Sequence, residues 1–197
     1  MSRAREIRSV LRRLIGEHGV ARYSVRDGVT VAVADNAAWY LWVRDDAVAE
    51  IVRSYLSGDG EYVGLYAVLR RGVADYYLSQ RCWRIIRQAL ADGFASSVMF
   101  AGADGEYGKI IVSARKEDEA AELVFLVSVC GAHTRSYVFP ASLFGLAVRL
   151  VRAVEGRYPP ISIAHHPRCP DRRVLCVLRR HHAKWKVAIG VASLMLE

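Results

Sequence analysis

Imidazoles and thiols gather in one short stretch of the chain: His165, His166, Cys169, Cys176, His181 and His182 are side chains of the kind that bind zinc. Their spacing matches no compact zinc motif, and neighbouring histidines on a strand point to opposite faces, so the expectation is that no metal is held. Asp59, in SYLSGDGEY, is a carboxylate at a helix end. It could hold a metal for phosphodiester hydrolysis only if a second helix supplied its counterpart. The available second copy, RAVEGRY, would force Arg152 into a tight helix pair, so Asp59 reads as a turn residue. GADG and SGDG are glycine-rich but lack the GKS or GxGxxG surroundings of a phosphate loop.

Charge is the broader chemical signal. Lys and Arg number 28 against 20 Asp and Glu, which gives a net charge of +8 and a pI near 9.6. Such a balance favours a polyanionic partner, because neutralising phosphates releases their counterions. The basic residues are densest near the two ends, at Arg3, Arg5, Arg8, Arg12 and Arg13 and at Arg172, Arg173, Arg179, Arg180, Lys184 and Lys186. Lysine is confined to Lys109, Lys116, Lys184 and Lys186, and Asn36 is the only asparagine, a bias compatible with a thermophile. Cys82, Cys130, Cys169 and Cys176 form no CxxC pair and are too sparse for a disulfide framework, so reduced thiols are expected. No apolar run reaches the roughly 18 to 20 residues of a membrane span, and MSRAREIRSVLRRL lacks a signal-peptide core, so a cytoplasmic protein without membrane association is expected.

With 197 residues and 53% hydrophobic content, the chain can bury one large core or two small ones. Ile7, Val10, Leu11, Leu14 and Ile15 recur at helical spacing after Ser2, with Gly16 or Gly19 to end the helix. ARYSVRDG and VTVAVAD are predicted strands joined at Asp27-Gly28, and AAWYLWV is a third. Asp45 to Leu56 is predicted helical, EYVGLYAVLRRG a shorter helix, and VADYYL a strand. Ser79 caps a helix through Trp83, Ile86 and Leu90 that ends at Asp92-Gly93. The segments SSVMF, GKIIVSA, LVFLVSV and RSYVF follow as strands. Pro140 opens the most regular helix, PASLFGLAVRLVRAV, stopped by Gly156 and Pro159-Pro160. ISIA, RRVLCVL and KWKVAIGVASLML close the chain as strands.

In order and spacing, ALADGF, GADGEYGKIIV, AELVFLVSV and PASLFGLAVRLVRAVEG resemble the C-terminal domain of the archaeal tRNA-splicing endonucleases. That domain carries a helix ending in a glycine-aromatic pair, a GADF-type strand, an HSxYLV strand and an RxAxxxxK helix end. GLYAVLRRGVADYY is similar to the family's N-terminal segment of the type EALYLLERGKIEV, and the resemblance spans roughly residues 45 to 180.

The resemblance implies a metal-free reaction in which tyrosine is general base on the ribose 2'-hydroxyl, histidine general acid on the leaving oxygen, and lysine the partner of the charged phosphorane. The products are a 2',3'-cyclic phosphate and a 5'-hydroxyl. In this chain the histidine position falls on Glu122, the tyrosine position on Ser113 or, aligned on GAD, Tyr107, and the lysine position on Gly156. The implied subunit therefore has no catalytic set and no cofactor. Arg149 stands where the family's arginine clamps a bulged base, a stacking contact worth about 1–3 kcal/mol; an ordinary exposed arginine is the other reading. The family's assembly devices would map to Asp171, as the acidic loop, and to an edge strand with Trp185, Val187, Ile189 and Val191, pairing between subunits.

The expectation is therefore an α+β chain, with a small N-terminal αβ domain over 1–78 and a C-terminal nuclease-like domain over 79–197, whose mixed β-sheet is flanked by helices. Its expected role is that of the structural, non-catalytic subunit of a heteromeric tRNA-splicing endonuclease, two such subunits joining two catalytic homologues on precursor tRNA. A basic RNA-binding module needing no partner is the alternative. A homing endonuclease of the LAGLIDADG type, cutting duplex DNA with magnesium, is a third.

Overall fold

The structure, a computed structural model, describes residues 2–92, 96–101, 107–113, 122–129, 133–181 and 184–195. The fold is α+β. Helix α1 (Arg3–His18) starts at Ser2, whose hydroxyl accepts the Arg5 N–H, and it buries Ile7, Val10, Leu11 and Leu14 as one stripe. Strands β1 (Ala21–Arg26) and β2 (Val29–Ala34) form a hairpin. Asp27 and Gly28 take φ of 52° and 74°, the paired positive values of the tight hairpin turn their sequence predicts. β3 (Trp39–Val43) follows, then α2 (Asp46–Tyr55), capped by the Asp45 carboxylate on the Val48 N–H at 3.0 Å. The predicted helix over 61–72 shrinks to α3 (Leu65–Leu69), and β4 (Gly72–Tyr76) comes next.

Helix α4 (Gln80–Asp92) opens at Ser79, whose Oγ accepts the Cys82 N–H at 3.3 Å. Strands β5 (Ser96–Ala101), β6 (Tyr107–Ser113), β7 (Glu122–Val129) and β8 (His133–Pro140) form a four-stranded meander in that order. Helix α5 (Ala141–Glu155) ends at Gly156, left-handed at φ 75°. Strands β9 (Ile161–His165), β10 (Val174–Arg179) and β11 (Val187–Ala192) complete a seven-stranded sheet of order β1-β2-β3-β11-β10-β9-β4.

That order corrects three expectations. Strands from both sides of residue 78 share one sheet, since β3 pairs with β11 and β4 with β9, so a domain boundary there would cut two ladders. The sheets are not mixed: every ladder between described strands is antiparallel, and the one parallel contact is an isolated bridge between Arg22 and Ser57. Short connections favour this for the successive pairs, because parallel neighbours need a long crossover; β3–β11 and β4–β9 are antiparallel although long segments separate them. Third, β11 is not a free edge. It lies between β3 and β10, and Trp185, Val187, Ile189 and Val191 are buried at 3%, 0%, 0% and 0% exposure.

The large sheet is covered on both faces, which is why its central strands are apolar without alternation. Leu41, Cys176 and Ile189 belong to the core shared with α1 and α5. Trp42, Leu175 and Ala188 pack on the other face with Leu65 and Val68 of α3, and the Trp42 indole N–H donates to the Val63 carbonyl at 2.6 Å. Ile110, Leu123 and Phe139 bring the four-stranded sheet onto the first core. Among the described residues no helix is long and apolar enough to cross a membrane.

Candidate nucleic-acid interface

Helix α4 turns Trp83, Ile86 and Ala89 inward, which leaves Arg81, Arg84 and Arg87, spaced by three, on its exposed side. Helix α5 lies against both α4 and α1. It buries nine apolar side chains and presents Arg149 and Arg152 beside its neighbours. Just past its glycine stop, Tyr158 folds back so that its ring stacks on Trp83 at 5.4 Å between centroids, and Trp83 stacks on Phe144 at 6.1 Å. The result is a groove of about 890 Å³ between α4 and α5. Ile86, Leu90, Ala141 and Leu146 give it an apolar floor, and Arg13, Arg84, Arg87, Arg149 and Arg152 give it a basic rim.

The rim arginines divide by partner. Arg13 is bound to Glu17 at 2.8 Å, and Arg149 places two guanidinium nitrogens on one Glu6 oxygen at 2.9 and 2.7 Å. Arg84, Arg87 and Arg152 have no ion pair among the described residues. Arg152 and Arg87 instead lie over the Tyr158 ring at 4.1 and 5.4 Å. Among the described residues no carboxylate pairs with these three guanidinia to relieve their mutual repulsion, a state that a bound polyanion would stabilise.

One hydroxyl–imidazole pair borders the groove: Ser142 Oγ lies 3.2 Å from His18 Nε2. Burial holds the His18 pKa below its ordinary value, while Glu17 opposes that shift. Glu17 approaches the same Nε2, at 3.9 Å, and among the described residues no carboxylate reaches Nδ1, so the third member that orients a catalytic base is missing.

The residues predicted from sequence are dispersed. Ser113 and Glu122 are direct cross-strand partners, but Tyr107 opposes Ser128 at the far end of β6. Glu122 also pairs with Pro140 at the start of α5, whereas Gly156 caps its end, a helical rise of roughly 22 Å away. The three family positions therefore do not converge. Asp171 lies in a turn beside a smaller cavity of about 360 Å³ that it shares with His165, Arg172 and Arg173. Of the zinc-type residues, Cys176 is in the core, with its thiol pKa raised by burial, and His166 is consumed by backbone contacts. His182 and Cys130, like the GADG segment and Gly93, lie outside the described residues. Asp59 adopts φ 61° in the turn after α2.

Arg149 alone among those residues reaches the groove, and Glu6 engages it there. Arg84, Arg87 and Tyr158 did not stand out in the sequence, where charge density pointed to the chain ends. The available signal was the three-residue spacing of Arg81, Arg84 and Arg87 opposite an apolar stripe.

No family model and no curated protein matches the chain. Among solved structures, it is similar to the DNA polymerase III subunit beta DnaN sliding clamp from Bartonella birtlesii LL-WM9, at 9% identity and a TM-score of 0.42. That match covers 98% of this chain and 62% of the clamp chain.

Proposed function

We propose that this protein binds single-stranded RNA along the α4–α5 groove and does not cleave it. The carrying observation is the set of Arg84, Arg87 and Arg152, free of ion pairs among the described residues and grouped around Tyr158 above an apolar floor. An apolar floor favours a single strand, which offers base faces as well as phosphates, over a duplex, whose outer surface is mainly sugar and phosphate. RNA rather than DNA follows from the resemblance to RNA-processing subunits. The test is fluorescence anisotropy with a labelled RNA of about 20 nucleotides across a salt series, since single-strand binding loses about 0.7 decades of affinity per decade of salt for each phosphate contact. Substituting R84Q, R87Q and R152Q together should flatten the slope by about 2 and weaken binding about a hundredfold near 0.1 M salt. An unchanged slope would remove the groove from RNA binding, and tighter binding of single-stranded or duplex DNA would change the ligand.

A second reading keeps the structural-subunit role in a tRNA-splicing endonuclease, and one observation favours it: Arg149, where the family places a base-clamping arginine, lines the same groove. In that case β11 cannot supply the subunit contact. Cleavage of an intron-containing precursor tRNA in EDTA, by this protein, a catalytic homologue, or both, separates the readings. Activity that appears only in the mixture supports the subunit role, and no effect of the addition leaves the binding module.

A further inference from the structure

The groove continues past Tyr158 into a separate pocket of about 440 Å³, lined among the described residues by Gln80, Arg81, Arg84, Arg87 and Tyr158. Three of its five walls are guanidinia, and none is a carboxylate. Resting on the groove reading above, we infer that this pocket takes a terminal phosphate monoester, so that the protein holds an RNA by its end.

The pocket shares Arg84 and Arg87 with the groove and adds Arg81, and the charge gathered there sets what it can hold. A phosphodiester in a strand carries one negative charge and is matched by one arginine, whereas a terminal monoester carries close to two, with three strong acceptor oxygens. Arg81, Arg84 and Arg87 converge on one small space, more positive charge than a passing phosphodiester needs. None of them has an ion pair among the described residues, so no internal carboxylate competes with a ligand. Gln80 adds an amide donor in the same lining. The Tyr158 ring lines both cavities, and its hydroxyl, closed to solvent, has no hydrogen-bond partner among the described residues. The ring thus forms a wall between the end pocket and the apolar floor, placing the first base of a strand against the floor when its terminal phosphate is among the arginines.

The test compares oligoribonucleotides of one sequence ending in a 5'-phosphate, a 3'-phosphate or hydroxyls at both ends. Binding is followed by anisotropy, with the label on the end opposite the phosphate. One phosphate-ended form should bind about tenfold tighter than the hydroxyl-ended form, as expected for added charge-assisted hydrogen bonds, and the form preferred identifies which end is held. The variant R81Q, altered on a side chain that lines only this pocket, should bring that ratio toward one. Equal affinity for all three forms overturns the end pocket while the groove reading stands, as does a preference that R81Q leaves intact. Absence of binding by any form at low salt overturns both.

Discussion

Replacing His166 with alanine tests whether a neutral imidazole fastens the loop after β9 to the rest of the molecule. The side chain is fully buried. Its Nε2–H donates to the Ala37 carbonyl at 2.9 Å, and its Nδ1 accepts the N–H groups of Arg168 and Cys169 at 3.1 and 3.2 Å. A carbonyl on one side and amide donors on the other allow only one tautomer, and that tautomer is uncharged. Alanine would leave these backbone groups unpaired at roughly 1–3 kcal/mol for each one closed to water. Ala37 is 8% exposed and bears that cost in full, while the exposed Arg168 segment recruits solvent in part. Loss of the edge contact with Tyr40, at 5.5 Å, adds to it. The total is about 3–4 kcal/mol, equivalent to a fall of roughly 6–16 °C in Tm for a chain of this size.

Acid should act at the same point. Burial lowers the His166 pKa, the Ala37 hydrogen bond opposes the shift, and Arg173 and Arg168 reinforce it. The unfolded chain titrates near about 6.5, so below that value it binds more protons than the folded state and stability falls. The stabilisation is complete above about pH 6.5 and is lost at up to about 1.4 kcal/mol per pH unit as the pH drops. His18 shifts in the same direction and contributes its own share. Urea unfolding followed by tryptophan fluorescence at several pH values between about 5 and 8 measures both effects. A wild-type midpoint that is flat across this range, or an H166A variant within about 1 kcal/mol of wild type, would refute the reasoning.

The junction between α1 and the β2–β3 turn makes a second test. Gly19 has φ 111°, and a side-chain carbon there would fall 2.5 Å from Asn36 Nδ2, which donates to the His18 carbonyl at 2.9 Å. G19A should cost about 2 kcal/mol, and N36A about 1, but the double variant should cost less than the two together because the collision is gone. Additive costs in chemical denaturation would assign the G19A loss to backbone strain alone. E6Q should release Arg149 at a stability cost below about 1 kcal/mol, because that pair is 40% and 25% exposed. It should tighten RNA binding about fivefold near 0.1 M salt, as one added phosphate contact would. Weaker binding in the same anisotropy assay would mean that Glu6 orients Arg149 for the ligand.

Local features were legible in the sequence because each depends on neighbours a few residues away. The apolar stripe of α1, the Asp27-Gly28 turn, the caps at Ser2 and Ser79, and the Gly156 stop all appear where their side chains and φ preferences require. Net charge, likewise independent of fold, favoured a polyanionic partner from composition alone. Beyond the β1–β2 hairpin, strand partners were not legible. An apolar strand such as VAIGVA reads the same whether it is a sticky edge or an interior strand, and only closure of the chain around β3 and β10 made it interior. The same closure joined segments that a boundary at 78 would have separated. The candidate site was hidden for a related reason: Arg84 and Arg152 lie on different helices, and only the packing of α4 on α5 gives them one groove. Arg149, conspicuous as a single residue, acquired its Glu6 partner from a helix 143 positions away. Sequence by itself determined which elements form and that the chain is basic. Tertiary structure decided which strands are edges and which arginines share a cavity, because both depend on long-range contacts between segments whose local patterns fit several arrangements equally well.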